Sequence, residues 1–135
     1  MDAMRTFRMI WASAAGWMVD YFLTMLIVPL GYAALDISTI SDIQLNNPLH
    51  IVVALILPAL MTTIGGGVAG RLSLENPTPA GALVGGWGLL MLFDSPLEQN
   101  SFTLAMLITQ CVATLGAALA ANYIAKRTLQ KSSLE

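Results

Sequence analysis

Charge is the scarcest feature of this chain. Only 10% of its 135 residues are charged, 56% are hydrophobic, and the mean hydropathy is +0.72. Soluble domains run near 25% charged, so a chain this poor in charge could not cover itself with a solvated surface in water. Basic residues are few as well. Six Lys and Arg stand against eight Asp and Glu, the net charge is -2, and no basic patch points to a nucleic-acid partner. Cys111 is the single cysteine, which excludes an internal disulfide and a multi-cysteine metal site. His50 is the single histidine, too few for a haem or a catalytic centre. There is no HExxH, no GxSxG, no Walker loop and no pair of carboxylates within one apolar run. The glycines do not follow a strand, so they form no phosphate cradle. The expectation is a protein that is not an enzyme, with no cofactor and no metal. A cleavable signal peptide is not expected either, because the first apolar run is too long for a signal core and no small-x-small site ends it.

What the chain does have is long apolar runs. A spanning helix takes about 20 residues, so four spans joined by short loops would fill one domain of this length. The spans are expected at about 9–35, 49–70, 80–93 and 102–124, in an all-α integral membrane four-helix bundle. The first is longer than a bilayer needs and would tilt or begin at the interface. Pro58 lies inside the second, where it should kink the helix or locally widen its backbone. Asn76-Pro77 and Pro79 mark a tight turn before the third. Between the first two spans, Ile37, Ile40 and Ile43 space a short turn that could lie on the membrane surface.

The basic residues orient the chain. Four spans put Arg5, Arg8, Arg71, Lys126, Arg127 and Lys131 all on one side. The loops on the opposite side hold no Lys or Arg and carry Asp36, Asp42, Asp94 and Glu98. Lys and Arg gather on the cytoplasmic side of membrane proteins, so both termini are expected inside. Trp11, Tyr32 and Tyr123 fall near span ends, where aromatic belts lie.

The centre of this organisation is Met61 to Arg71, with Gly65, Gly66, Gly67 and Gly70 in two helical turns. In water each Gly costs a helix roughly 1 kcal/mol against Ala. In lipid, small residues let helices approach closely, and packing is the main force available. Small or polar residues recur at spacings of three or four in every span: Ala12, Gly16, Asp20 and Thr24 in the first; Thr62, Gly66 and Gly70 in the second; Gly81, Gly85 and Gly88 in the third; Ala105, Thr109, Ala113, Gly116 and Ala120 in the fourth. Such spacing places each row on one helix face.

Asp20 is the most informative single residue, because an acid at the centre of a span costs roughly 2.5 to 3.5 kcal/mol on insertion scales. Arg71 is the natural counter-charge. If the membrane begins near Ala14, Asp20 lies about 9 Å deep and the pair is within reach. If it begins near Met9, Arg71 falls short, and protonation or hydrogen bonds to Thr24, Thr62 or Thr63 are needed. The expected role is an ion pair that fixes helix register; the functional alternative is a proton or ion site, or a ligand anchor. Arg71 and Glu75, four apart, could also pair across the turn. His50 could ligate one pigment or metal. Cys111 is expected as a small packing residue, and Met25, Met61, Met91 and Met106 as lipid-facing or gap-filling side chains. Trp17 and Tyr21 flank Asp20 and are expected against lipid or a neighbouring helix, with a cavity wall as the alternative.

Gly16-Trp-Met-Val-Asp20, Gly66-Gly67-Val-Ala-Gly70-Arg71 and Gly81-Ala-Leu-Val-Gly85 together resemble a broad group of small four-span bacterial membrane proteins with glycine-rich helices. The resemblance implies a four-span topology in the bacterial cytoplasmic (inner) membrane and brings no activity with it. The leading expectation is a structural or accessory membrane subunit, docking through its glycine faces on a second copy or on a larger complex, among membrane lipids. The alternative is a small homo-oligomeric transporter or channel with Asp20 as its proton- or cation-responsive group. A third possibility is a binder of a lipid, quinone or pigment.

Overall fold

An apolar run closes its backbone hydrogen bonds internally as a helix, which is what lets it leave water. The computed structural model describes residues 3–94 and 101–133, and within them the chain is all helical, with no strand. Four helices follow in order: α1, Ala3–Ala34; α2, Pro48–Leu72; α3, Pro77–Asp94; and α4, Ser101–Ser132. By length and composition α1, α2 and α4 are apolar enough to cross a membrane. α3, 18 residues long, is not among them. It opens on Pro-Thr-Pro, and Gly81, Gly85, Gly86 and Gly88 dilute the apolar content of the rest.

The helices outrun the expected spans, most at the ends of the chain. α1 begins at Ala3 rather than near residue 9, and α4 continues to Ser132 rather than stopping near 124. The extra turns hold Arg5, Arg8, Lys126, Arg127 and Lys131. Lys131 sits in the last turn of α4, where a helix's C-terminal partial charge favours a cation. Arg127 also stacks over the Tyr123 ring at 5.0 Å.

Local chemistry fixes the link between α1 and α2. Asp36 takes a left-handed conformation, φ 54, and turns the chain out of α1. Its short polar side chain tolerates that region better than most. A single 3-10 turn, Ile40–Asp42, follows. Asp42 Oδ2 accepts the N–H of Thr39 at 2.7 Å and of Ser38 at 3.0 Å. These bonds, the Thr39 amide foremost, hold the Asp42 carboxyl below the usual carboxylate range. Ile37 and Ile43 pack inward with Ala54 and Leu55 of α2, while Ile40 stays exposed. The three isoleucines therefore do not share one surface face. Asn47 caps α2, its Oδ1 accepting the Leu49 N–H at 3.0 Å, and Pro48 occupies the first helical turn, where its missing N–H costs nothing.

Pro58 acts as its chemistry requires. It has no N–H to give to the preceding turn, and its ring crowds the carbonyl four residues back. α2 accommodates it by one π-helical turn, Val52–Ile56, directly before the proline.

α2 is the hub: it packs on α1, α3 and α4, whereas α1 and α4 do not meet among the described residues. Gly65 and Gly16 bring α2 and α1 together backbone to backbone. On its other flank Gly66 lies against Ala117 and Gly70 against Ala121. Gly81 and Gly85 of α3 approach Ala117 and Thr114 of α4 in the same manner. The contact order shows that α1 and α3 run parallel to each other and antiparallel to α2 and α4. The expected rows of α1, α2 and α3 are the packed ones. That of α4 is turned: the buried row is Ala113, Ala117, Ala121 and Ala125. Gly116 lies one position round and meets only the tip of Thr63.

Two predictions follow from this packing and from the loop. A Cβ on Gly70 would run into the Ala121 backbone, whereas one on Gly86 would meet nothing within 4 Å. Gly70→Val should therefore cost roughly 1–3 kcal/mol or more of bundle stability. Gly86→Ala should be neutral or stabilising by up to about 1 kcal/mol. Thermal unfolding in detergent checks both. For Asp42, a lowered native pKa means that the unfolded loop binds its proton at higher pH than the native loop does. The bond network is thus fully stabilising above the ordinary value of 3.8 and is lost as pH falls through the native value. Amide protection of Ser38 and Thr39 should fall over that acid window and should already be low at neutral pH in Asp42→Ala, which has no acceptor oxygen.

Candidate functional site

The α1 row carries Asp20 onto the face that meets α2. Asp20 is only 8% exposed. Its Oδ2 accepts the Thr62 hydroxyl at 2.9 Å, and its Oδ1 accepts the Thr24 hydroxyl at 3.2 Å. Thr62 Oγ1 is also 3.2 Å from the Pro58 carbonyl, so its one proton is shared between a carboxylate and a backbone oxygen. Thr63 is not part of the arrangement; its hydroxyl donates back to the Ala59 carbonyl at 2.9 Å.

Arg71 does not pair with Asp20. It lies nine residues beyond Thr62 on α2, which is about 13 Å along a helix and outside a side chain's reach. It is exposed at the far end of the bundle, in a groove of about 220 Å³ that it shares with Arg5, Arg8 and Glu75. Glu75 pairs there with Arg5 at 3.0 Å and not with Arg71. Both partners of that bridge are more than half exposed, so it is worth about 1 kcal/mol at most.

Asp20 instead borders a cleft of about 680 Å³. All four helices line it: α1 with Trp17, Asp20, Tyr21, Thr24, Met25, Val28 and Tyr32; α2 with Ala54, Leu55, Pro58, Ala59 and Thr62; α3 with Gly88, Met91 and Leu92; and α4 with Met106, Thr109 and Gln110. Val28, Ala54, Leu55, Asp20 and Thr62 are buried and make the floor; Tyr21, Met25 and Met91 are exposed and mark the mouth. The π-turn of α2 contributes Ala54 and Leu55, so the backbone adjustment at Pro58 shapes this space. Gln110 fills the position that Gly88 leaves free of a side chain, and its Nε2 donates to the Gly85 carbonyl at 3.2 Å. Trp17 packs on Tyr21 at 5.6 Å and on Trp87 at 6.5 Å between ring centroids. Trp17 thus contacts α3 through Trp87, and both Trp17 and Tyr21 wall the cavity.

The remaining candidates lie apart from the cleft. His50 is buried in the α1–α2 link, where its Nδ1 accepts the Gln44 N–H at 3.1 Å and pins the loop. Cys111 is exposed on the outer face of α4 and packs no core. Among the described residues no three His, Cys, Asp or Glu converge. Asp94 is the last residue of α3, and the position of Glu98 lies outside the described residues. The sequence singled out Asp20, Thr24 and Thr62, but not Thr109, Gln110, Met91 or Met106 as neighbours of the same space. The one available signal was Gln110, an amide inside an apolar run.

No protein-family model matches the chain, and neither a curated protein nor a solved structure matches it.

Removing the Thr62 hydroxyl leaves a buried carboxylate short of a donor, at a cost of roughly 1–3 kcal/mol. Thr62→Val should lower the thermal midpoint in detergent clearly. Thr24→Val should lower it less, because that bond is longer and half-buried. Thr63→Val should hardly move it, since its hydroxyl serves only its own helix.

Proposed function

We propose that this chain is a small transporter of the bacterial cytoplasmic membrane, with Asp20 as its proton- or cation-responsive group. The observation that carries the proposal is a carboxylate at the floor of a large cleft whose lining, among the described residues, holds no Lys, Arg or His. A carboxylate in a dry site is held ionised by a cation or neutralised by a proton. With Arg71 out of reach, the partner that alternates on Asp20 comes from outside the chain. The topology that goes with this role has four spans, α3 being the fourth, with both termini inside. Its support is the gathering of Arg5, Arg8, Arg71, Lys126, Arg127 and Lys131 at one end of the four helices. Four helices alone enclose little, so the working unit is a homo-oligomer.

A structural or accessory role in a larger complex is the second reading. It needs small-residue faces free for docking. Gly16, Gly31, Gly65, Gly66, Gly70, Gly81, Gly85 and Gly88 are turned onto the chain's own helices, which leaves Gly86 open, Gly67 with a light contact to Ile124 and Gly116 meeting only the tip of Thr63. For that reason transport is placed first.

The two separate in one experiment. Purified protein in liposomes should support a proton or cation flux, and Asp20→Asn should reduce it by about tenfold or more while leaving the particle mass unchanged. Unimpaired flux in the variant rules out the Asp20 mechanism. Co-purification of other subunits in fixed ratio, with no flux from the isolated chain, favours the accessory role. A lipid, quinone or pigment recovered by solvent extraction would mark the cleft as a storage site.

A further inference from the structure

We propose that the cleft takes a hydrophobic organic cation, with its charged head on the Asp20 carboxylate and its apolar body between the side chains at the mouth. This rests on Asp20 being the working group of the cleft.

The lining excludes the other ligand classes in turn. Among the described residues its fixed charge is one carboxylate, with Tyr21 and Tyr32 the only other titratable side chains lining the space. An anion would meet that carboxylate with no cation to offset it. A zwitterion would satisfy Asp20 and leave its own acid unpaired. A neutral apolar ligand would leave the carboxylate with two threonine donors and no counter-charge, and would have to wait on a proton to neutralise it. A bare metal ion needs about six or more oxygen ligands if it is of the calcium type. Here the threonine hydroxyls donate to Asp20 and to the Ala105 carbonyl, and the remaining walls are Met, Leu, Val, Ala and aromatic rings. Those walls cannot replace a hydration shell, but they suit the body of an organic cation. Thr24 and Thr62 together occupy one lone pair on each carboxylate oxygen. The rest is open to a charged head. Trp17 and Tyr21, beside Asp20, offer ring faces that attract a cation further. A volume of about 680 Å³ lies within the range of small-molecule pockets.

The route in is set by the mouth. Tyr21, Met25 and Met91 are 45%, 57% and 54% exposed and border the cleft from α1 and α3. All three lie inside apolar helices, well away from the ends that carry the basic residues. A ligand dissolved in the bilayer reaches Asp20 there without passing through the aqueous ends of the helices.

Tetraphenylphosphonium and tetraphenylborate test this, because they share a size and shape and differ in the sign of their charge. With full-length protein in mild detergent, equilibrium dialysis should show saturable binding of the phosphonium and none of the borate. Asp20→Asn keeps the size of the side chain, removes its charge and exchanges one of its two acceptor oxygens for an amide donor; it should weaken phosphonium binding by about tenfold or more. Ala59→Phe fills the cleft and leaves Asp20, Thr24 and Thr62 in place; it should weaken binding equally, and it decides the matter if Asp20→Asn does not fold. Equal binding of both ions, or full phosphonium binding by either folded variant, overturns the proposal. Asp20-dependent proton flux with no phosphonium binding overturns the ligand class and leaves transport standing. Specific phosphonium binding with no flux under any gradient upholds the ligand class and removes transport.

Discussion

The structure depends on how closely the two flanks of α2 can be approached. In lipid no hydrophobic force draws one apolar helix to another, so association rests on van der Waals contact. Gly65 against Gly16 on one flank, and Gly66 and Gly70 against Ala117 and Ala121 on the other, bring the backbones into that contact. α3 completes the set with fully buried Ala80 and Val84 and with Gly81 and Gly85. These residues share one half of the bundle. The other half carries Tyr21, Met25, Tyr32, Leu55, Met91 and Met106 on the cleft, with Gly31 against Val53 and the cluster of Ile37, Ile43, Ala54 and Leu55 beyond it. The cleft thus lies where larger side chains replace the small residues of the first half.

Asp20 sits at the boundary between these halves. One turn towards the N-terminus, Gly16 is packed backbone to backbone; one turn the other way, Thr24 already borders open space. That placement reconciles a costly acid with a stable fold. The tight half fixes the position of α2, which brings the Thr62 hydroxyl to the carboxylate, while the open half leaves the carboxylate accessible. The π-turn before Pro58 belongs to the same design. It resets the phase of α2 between the loop-anchored start of the helix and the glycine-bearing end, so that Ala54 and Leu55 face the cleft together with Thr62.

Function in such a chain is read from what the lining lacks as much as from what it holds. Among the described residues the cleft holds one carboxylate and no basic residue. The arginines that could have offset that carboxylate are held at the other end, in a solvated groove where Arg5 already engages Glu75.

The sequence by itself determined the helices and the identity of the costly residue. Long apolar runs, the Asn47-Pro48 start and Pro58 each act over a few residues, so their effects could be read locally. The three small-residue rows of α1, α2 and α3 were legible for the same reason: spacing alone places residues on a face. Only the tertiary structure decided which face of α4 is used, because Ala113-Thr-Leu-Gly116-Ala117-Ala118 offers adjacent rows of nearly equal size, and the choice falls to the neighbours. Only it decided that Arg71 serves the bundle's end rather than Asp20, since the axial offset between two antiparallel helices is fixed by their contacts and not by either sequence. The cleft likewise had no local signature, because its walls come from four helices that meet nowhere in the sequence.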